Sequence, residues 1–499
     1  MKKYRFAPSP TGFLHLGHII GAFFNYSFAQ KSGGKYILRI EDTDLNRNQD
    51  DSVKWMLEDF KWLGLIWDEG PDTNDPTPND YFQSTHLDRF LTYRDQLLAQ
   101  GKAFKAYETP EEREAQIKDQ REHGKPPIYS GGHENLSLAE QKSLEDAGRQ
   151  PVVRLKVDLG NDITYTDGLY GEITVNTSDI GSFTLYRSTD MPMYNFAVVV
   201  DDHVMGVTDV VRGTDHVNNT PRQILIYKAL GWDVPTFTHY PNLLAEDQPG
   251  KLSKRRGAKS VAQYRSEGYL ADAIYNYLAL TYFNLGIETR EDEILTRAEI
   301  LNKISVENMQ KSNPKFNAKK LEWVNGQHIR ALSLDNFKTL YFEWLENYAK
   351  VAAEFNPTFN TSLVDSFLQH KDVISMGLDL VQTRIVKFDD TFLQLKFLLH
   401  APSYSEIDAS VTKHDYYDVK NLILALMVGL DSIDMSNQQA WEDAVRNVAD
   451  SYEWKHGDAF MALRLALVGD RYSPPLRESM VILGKEECFK RIQDFASTL

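Results

Sequence analysis

Phe6-Ala-Pro-Ser-Pro-Thr-Gly-Phe-Leu-His-Leu-Gly-His18 is the stretch on which the reading of this chain turns. It joins a short apolar strand, Tyr4 to Ala7, to a run with helical apolar spacing from about Leu16 to Gln30. Pro8 and Pro10 hold the approach extended, while Gly12 and Gly17 leave room for a ligand to touch backbone. A strand that turns abruptly into a helix aims N–H groups and the positive end of the helix dipole at one point, which favours a phosphate. His15 and His18 fall at that point, so the stretch reads as a nucleotide cradle. Far downstream, Lys251-Leu-Ser-Lys-Arg255 supplies a basic loop that could close over a triphosphate.

Working outward, a second strand from Lys35 to Ile40 runs into Glu41-Asp-Thr-Asp44, and Asp50 to Leu63 has helical spacing. Alternating strand and helix implies a parallel sheet. Leu87 to Gln100 is the next helix, closed by Gly101. Near Lys102 the pattern changes to a charged helix (Pro110 to Glu122) and alternating segments at Val152–Val157, Gly171–Val175 and Phe183–Leu185, an inserted α+β region. The sheet is expected to resume at Asn195-Phe-Ala-Val-Val-Val200, a buried parallel-strand run. A helix from His216 to Leu230 and a last strand, Thr236 to Tyr240, then deliver the chain to the basic loop. From Val261 onward the strands vanish. Ala271–Asn284, Leu378–Leu399, Val419–Leu430 and Ala459–Val468 read as helices, hence an all-α C-terminal region.

Length and composition are compatible with that division. A chain of 499 residues exceeds what one core supports. Hydrophobic residues at 42% and charged residues at 25% are ordinary for a globular protein and argue against disorder. No apolar run approaches a membrane span, and the basic N-terminus leads straight into a strand, so no leader is expected. The single cysteine, Cys488, excludes an internal disulfide and a cysteine-cluster zinc site, and points to a reducing compartment, the cytoplasm. A net charge of −16 disfavours nonspecific phosphate binding by the whole body and leaves a local basic face as the route to a polyanion.

His15-Leu-Gly-His18 resembles the first signature of the class I aminoacyl-tRNA synthetases, and Lys251-Leu-Ser-Lys-Arg255 resembles the second. Arg5-Phe-Ala-Pro-Ser-Pro-Thr-Gly12, Leu38-Arg-Ile-Glu-Asp-Thr-Asp44, Val199-Val-Asp-Asp-His203 and Gly206-Val-Thr-Asp-Val-Val-Arg212 are similar to bacterial-type glutamyl-tRNA synthetases. The likeness covers nearly the whole chain and fades after about residue 330. At His18 many members carry glycine; histidine matches the wider class. The resemblance implies a Rossmann-like catalytic domain over 1–258, with an insertion at 102–190 that contacts the acceptor stem. It further implies a helical stem-contact junction over 259–330 and an all-helical anticodon-binding region over 331–499. Some members bind zinc in the insertion through cysteines; none lies there in this chain, so no metal is expected.

The implied chemistry is attack of a carboxylate on the α-phosphorus of ATP, with magnesium accompanying the nucleotide, followed by transfer to tRNA. Positioning and electrostatic stabilisation would carry it. The resemblance assigns catalysis to His15, His18, Lys251 and Lys254, and ATP binding to these together with Gly17, Gly213, Asp215, His216, Leu243, Leu244 and Ser253. Glutamate is expected against Arg5, Ala7, Ser9, Glu41, Tyr194 and Arg212, where a desolvated arginine would reject neutral glutamine. Arg384, aligned with a residue that reads the third anticodon base, and Arg464, Pro474 and Leu476 are expected to meet tRNA. Asp201-Asp202-His203 invites a metal reading, but the family carries that run as a structural turn. The substrates implied are L-glutamate, ATP and tRNA-Glu, for a monomer. The alternatives are a relaxed enzyme that also charges tRNA-Gln and an inactive tRNA-binding homologue.

Overall fold

The computed structural model describes residues 1–10, 12–43, 52–73, 81–124, 127–253, 257–404, 407 and 412–499. Thr11, Asp44, Lys254 and Arg255 lie outside them. The chain divides into two compact units, one comprising 1–261 and 275–318, the other 262–274 and 319–499.

Among the described residues the first unit has nine strands: β1 (Lys3–Phe6), β2 (Lys35–Leu38), β3 (Ala103–Ala106), β4 (Val152–Leu155), β5 (Asp162–Asp167), β6 (Gly171–Asn176), β7 (Thr184–Tyr186), β8 (Asp209–Gly213) and β9 (Thr236–Tyr240). Six form one sheet in the order β2-β1-β8-β9-β5-β6, and three form a second in the order β3-β4-β7. β2, β1, β8, β9 and β5 run parallel, so their carboxyl ends share one edge, where open α/β sheets bind ligands. β6 pairs antiparallel with β5, and the small sheet is antiparallel throughout. β5 was not among the strands expected, although the alternation of Asp162-Ile-Thr-Tyr-Thr-Asp167 and its Thr, Tyr and Ile content are strand signals.

The main helices of this unit begin with α1 (Leu16–Ser32), α2 (Ser52–Trp62), α3 (Leu87–Ala99), α4 (Pro110–Glu122) and α5 (Leu138–Asp146). α1 is stopped by Gly33 at φ 62°, whose N–H reaches back to the last carbonyls. α4 and α5 begin in capping boxes, Thr109 with Glu112 and Ser137 with Glu140.

Two expectations are corrected here. Asn195–Val200 is not a strand but part of helix α6 (Tyr194–Val204). Phe196 through Val200 are all at most 2% exposed, because α6 packs among α3, the small sheet and α7 (Thr220–Leu230). A short run apolar on every side carries no period, so burial on all faces hides whether it is helix or strand. Asp201-Asp202-His203, which continues α6, is accordingly the last turn of a helix rather than a turn between elements.

After Tyr240 no strand occurs among the described residues. Beyond α8 (Val261–Ser266), α9 (Ala271–Tyr282), α10 (Arg297–Lys303) and α11 (Ala318–Ala331), the second unit holds two helical cores. One gathers Phe337, Tyr341, Trp344, Phe367, Leu378, Phe388 and Leu395; the other gathers Leu422, Leu426, Trp441, Leu463, Met480 and Ile492. The expected helix Leu378–Leu399 is two pieces, Lys371–Val381 and Asp390–Leu395. Asp390 breaks the run by accepting from the N–H groups of Val386 and Lys387, a side-chain bond that competes with helix. No helix among the described residues is long and apolar enough to cross a membrane.

Candidate active site

His15 is the residue that precedes α1, with extended backbone, and is 6% exposed. One helical turn brings His18 beneath it, and the two rings stack at 3.7 Å between centroids and 23° between planes. Gly17 is what permits this: a Cβ there would stand 2.9 Å from His15 Cε1 and 3.3 Å from the Leu252 carbonyl oxygen. The same contact shows that the first signature lies against the second. Two further links close the junction, an isolated bridge from His15 to Ser260 and the Val261 N–H donating to the Leu14 carbonyl at 2.8 Å. The backbone of Leu252, next to Lys251, therefore lies against Gly17 between the two histidines, while Lys254 falls outside the described residues.

Lys251 and Ser253 extend from a short antiparallel turn in which Leu252 N–H donates to the Leu243 carbonyl and Ala245 N–H to the Gly250 carbonyl. Lys251 Nζ lies 2.6 Å from Asp215 Oδ2. Burial works against the Asp215 charge, and the Lys251 ammonium outweighs it, so the carboxyl is held below its ordinary range. Gly213 ends β8 where a Cβ would meet Asp215 Oδ1 at 2.8 Å. The two leucines expected near adenine differ. Leu244 has its N–H on the Pro314 carbonyl and its C=O taken by Phe316 N–H, whereas the N–H of Leu243 has no acceptor among the described residues.

Beside this lies a buried cluster of charge at the carboxyl edge of the sheet. Arg5 is 4% exposed and donates through Nε to both carboxylate oxygens of Asp202, at 3.1 and 3.2 Å. Its two terminal nitrogens carry no hydrogen bond among the described residues. Asp202 also accepts from Arg39 at 2.7 Å, and Arg39 reaches Glu41 at 3.3 Å. Arg39 is wholly buried; burial alone would lower its affinity for a proton, but Asp202, Asp201 and Glu41 raise it above the ordinary value. Burial pushes the Glu41 carboxyl up, against the pull of Arg39 and Arg5.

Arg212 is different in kind. It is 6% exposed, and its close partners are neutral: Gln223 Oε1 at 2.8 Å, Thr220 Oγ1 at 2.7 Å and His239 Nε2 at 3.2 Å. No carboxylate pairs with it among the described residues. Burial, followed by the opposing influence of Tyr194 and the like charge of Arg5, leaves its proton affinity below the ordinary value. Tyr194, at the first turn of α6, directs its hydroxyl to His216 Nδ1 at 3.2 Å. Desolvation and Arg212 depress the His216 imidazole to about 4. Glu41 N–H donates to the Pro8 carbonyl, so Ala7, Ser9 and Glu41 border one loop, with Ser9 exposed.

Reading the sequence missed Arg39, Asp202 as a partner of Arg5, and the Thr220, Gln223, His239 and Asp167 surroundings of Arg212. Arg39 had a signal: a full charge between Leu38 and Ile40 in an apolar strand must find a buried anion. The others had none, since nothing in spacing joins Arg212 to Asp167.

In the second unit Arg384 and Arg464 come together on Ser473. Arg384 reaches its carbonyl at 3.5 Å and Arg464 its hydroxyl at 3.0 Å. Contrary to expectation, Arg384 sits in the link between two helices, not on a helix face. Pro474 is buried beside Ser473, and Arg464 and Leu476 line a cavity of about 280 Å³ with Trp441 and Phe460.

Comparison with known proteins identifies the family. Residues 3–323 match the family described as tRNA synthetases class I (E and Q), catalytic domain, and residues 344–496 match an anticodon binding domain. The chain is 35% identical over 494 residues to a glutamate–tRNA ligase of Bacillus licheniformis, covering 99% of this chain and 98% of the relative. It is 37% identical over 495 residues to glutamate–tRNA ligase 1 of Caldicellulosiruptor saccharolyticus, covering 98% of each. Among solved structures it resembles a glutamate tRNA ligase from Elizabethkingia meningosepticum crystallised with its amino acid. The TM-score is 0.82 and the identity 29%, over 100% of this chain and 99% of that one. The chain thus belongs to the bacterial-type glutamyl-tRNA synthetases, a family of class I aminoacyl-tRNA ligases.

Proposed function

We propose that this enzyme activates L-glutamate with MgATP and transfers it to tRNA-Glu. The observation that carries the reading is Arg212, a buried guanidinium held among the described residues by neutral groups alone, beside Arg5, whose terminal nitrogens make no hydrogen bond to those residues. A buried cation left without an anion is costly unless a ligand supplies one. The side-chain carboxylate of glutamate does so, and the neutral amide of glutamine does not.

In the first step the α-carboxylate of glutamate attacks the α-phosphorus and pyrophosphate leaves. His15 and His18 at the start of α1 donate toward the phosphoryl oxygens, and the dipole of α1 favours the charge that builds there. Lys251 leaves Asp215 to meet the triphosphate, and Lys254 is assigned the same task from its place in the signature. Adenine is met by the Leu243 N–H, since Leu244 has its backbone groups engaged. Glu41 and Ser9 take the ammonium group, and Tyr194 walls the pocket. Magnesium enters with ATP as part of the nucleotide substrate. In the second step a ribose hydroxyl at the 3′ end of tRNA displaces AMP, with Arg384, Arg464, Pro474 and Leu476 against the anticodon.

Purified protein tested for ATP–pyrophosphate exchange with glutamate and tRNA present, then for charging of tRNA-Glu and tRNA-Gln, decides the matter. Glutamate-dependent exchange and charging of tRNA-Glu alone are expected. Equal charging of both tRNAs would identify the relaxed enzyme. Absence of exchange from the folded protein would leave only a tRNA-binding homologue.

A further inference from the structure

Arg212, His239 and Asp167 stand in a row across three neighbouring strands. The register places Arg212 of β8 opposite His239 of β9, and Phe237, two residues earlier on β9, opposite Asp167 at the end of β5. His239 and Asp167 are both wholly buried, and His239 Nδ1 lies 2.6 Å from Asp167 Oδ2. The Arg212 guanidinium lies over the Phe237 ring at 5.4 Å, a cation–π contact.

The partners fix the state of the imidazole. His239 Nε2 faces Arg212 Nε–H at 3.2 Å, a group that can only donate, and the Thr220 hydroxyl at 3.1 Å. Nε2 must therefore be bare. Nδ1 faces a carboxylate and carries the proton. Burial, against the pull of Asp167, lowers the proton affinity of the ring below its ordinary value, in keeping with a neutral imidazole. The second oxygen of Asp167, Oδ1, accepts from the N–H groups of Leu169 and Tyr170 at 2.9 Å each, so the carboxylate is locked by the turn that leads into β6.

We propose that Asp167 and His239 are positioning residues that aim Arg212 at the substrate carboxylate without neutralising it. A carboxylate placed directly on Arg212 would occupy its fork and cancel its charge. Interposing a neutral ring puts the counter-charge one residue away, tethers Nε, and leaves the guanidinium electrostatically unsatisfied toward the pocket. This arrangement sets the preference for glutamate over glutamine, and it rests on the proposed function, in which Arg212 faces the substrate side chain.

Asp167→Asn separates positioning from plain structure. In this variant the side-chain oxygen keeps both turn bonds and the amide nitrogen replaces Oδ2, so it donates to His239 Nδ1. The ring proton is driven to Nε2, against the Arg212 N–H. A merely structural Asp167 predicts no loss, because asparagine suits such turns as well. His239→Asn is the second variant: its amide retains the bond to Asp167 but nothing reaches Arg212.

In ATP–pyrophosphate exchange with tRNA present, each variant is expected to raise the KM for glutamate about tenfold or more, the effect of misplacing one charge-assisted hydrogen bond. The KM for ATP should stay within about twofold and the melting temperature close to wild type, while the preference for glutamate over glutamine falls. A folded variant of either kind whose glutamate KM stays within about twofold of wild type overturns the relay. Wild-type protein without glutamate-dependent exchange would instead sink the functional reading on which the relay stands.

Discussion

At the scale of single residues, the site is made of side chains whose neighbours are chosen to leave something undone. Among the described residues Arg5 uses only Nε on Asp202 and Arg212 meets only neutral groups, so two cations keep donors for a ligand at one edge of the sheet. Lysine cannot replace the planar fork at Arg212, since an ammonium reaches few of Gln223, Thr220, His239 and a carboxylate together. Arg212→Lys should raise the glutamate KM about 10- to 100-fold in exchange kinetics while the ATP KM moves little. Gly17 is under a different constraint. Gly17→Ala sets a methyl group 2.9 Å from His15 Cε1 and 3.3 Å from the Leu252 carbonyl, with the cost of overpacking, about 1–3 kcal/mol. The expected result is a fall of about tenfold or more in exchange rate at saturating glutamate, with far-UV circular dichroism unchanged.

Elements set the tolerances within which those residues act. In the second unit Gly268 at φ +83° ends the turn after α8, and an added Cβ would stand 2.3 Å from Phe388 Cβ. Gly268→Ala combines a left-handed backbone with a backbone collision and should destabilise the helical unit by about 2 kcal/mol or more, read in denaturant melts. The following segment carries a pH signature. Asp389 Oδ1 is buried without a hydrogen bond among the described residues, and desolvation, opposed by Lys387, raises the carboxyl from the ordinary 3.8 to about 6. Asp390 and Glu267 also face it, and Lys387 bridges to Glu267 at 3.3 Å. Between these two values the folded state holds more protons than the unfolded one, so this contribution to stability is complete below about pH 4 and is lost as pH rises through about 6. Asp389→Asn removes the titration. Its melting temperature should therefore gain on wild type between about pH 4 and 7, and a constant difference across that range would contradict the assignment.

Over the whole molecule, the order of the chain matters as much as its packing. The chain passes between the two units after residues 261, 274 and 318, so the segment 262–274 belongs to the unit that the later helices complete. Tyr264 and Tyr269 are 4% and 5% exposed there, and Trp344 Nε1 donates to the Arg265 carbonyl at 3.0 Å. A chain ending at 318 would keep this apolar segment and lose its partners. Such a truncation is expected to bind a hydrophobic dye and aggregate, whereas the full chain stays monodisperse in light scattering.

The sequence by itself determined the strand-to-helix cradle at His15 and His18, its basic counterpart at Lys251, the strand at Thr236–Tyr240 and the helical character after Val261. Each is a local pattern: a turn chemistry, a period, or a terminating glycine such as Gly101. Tertiary structure alone decided the rest. Asn195–Val200 is helix, a fact its sequence concealed because burial on all sides erased its period. Arg39 found Asp202 across 163 residues through the packing of α6, and His239 found Asp167 across 72 through strand order, pairings that no spacing along the chain announces.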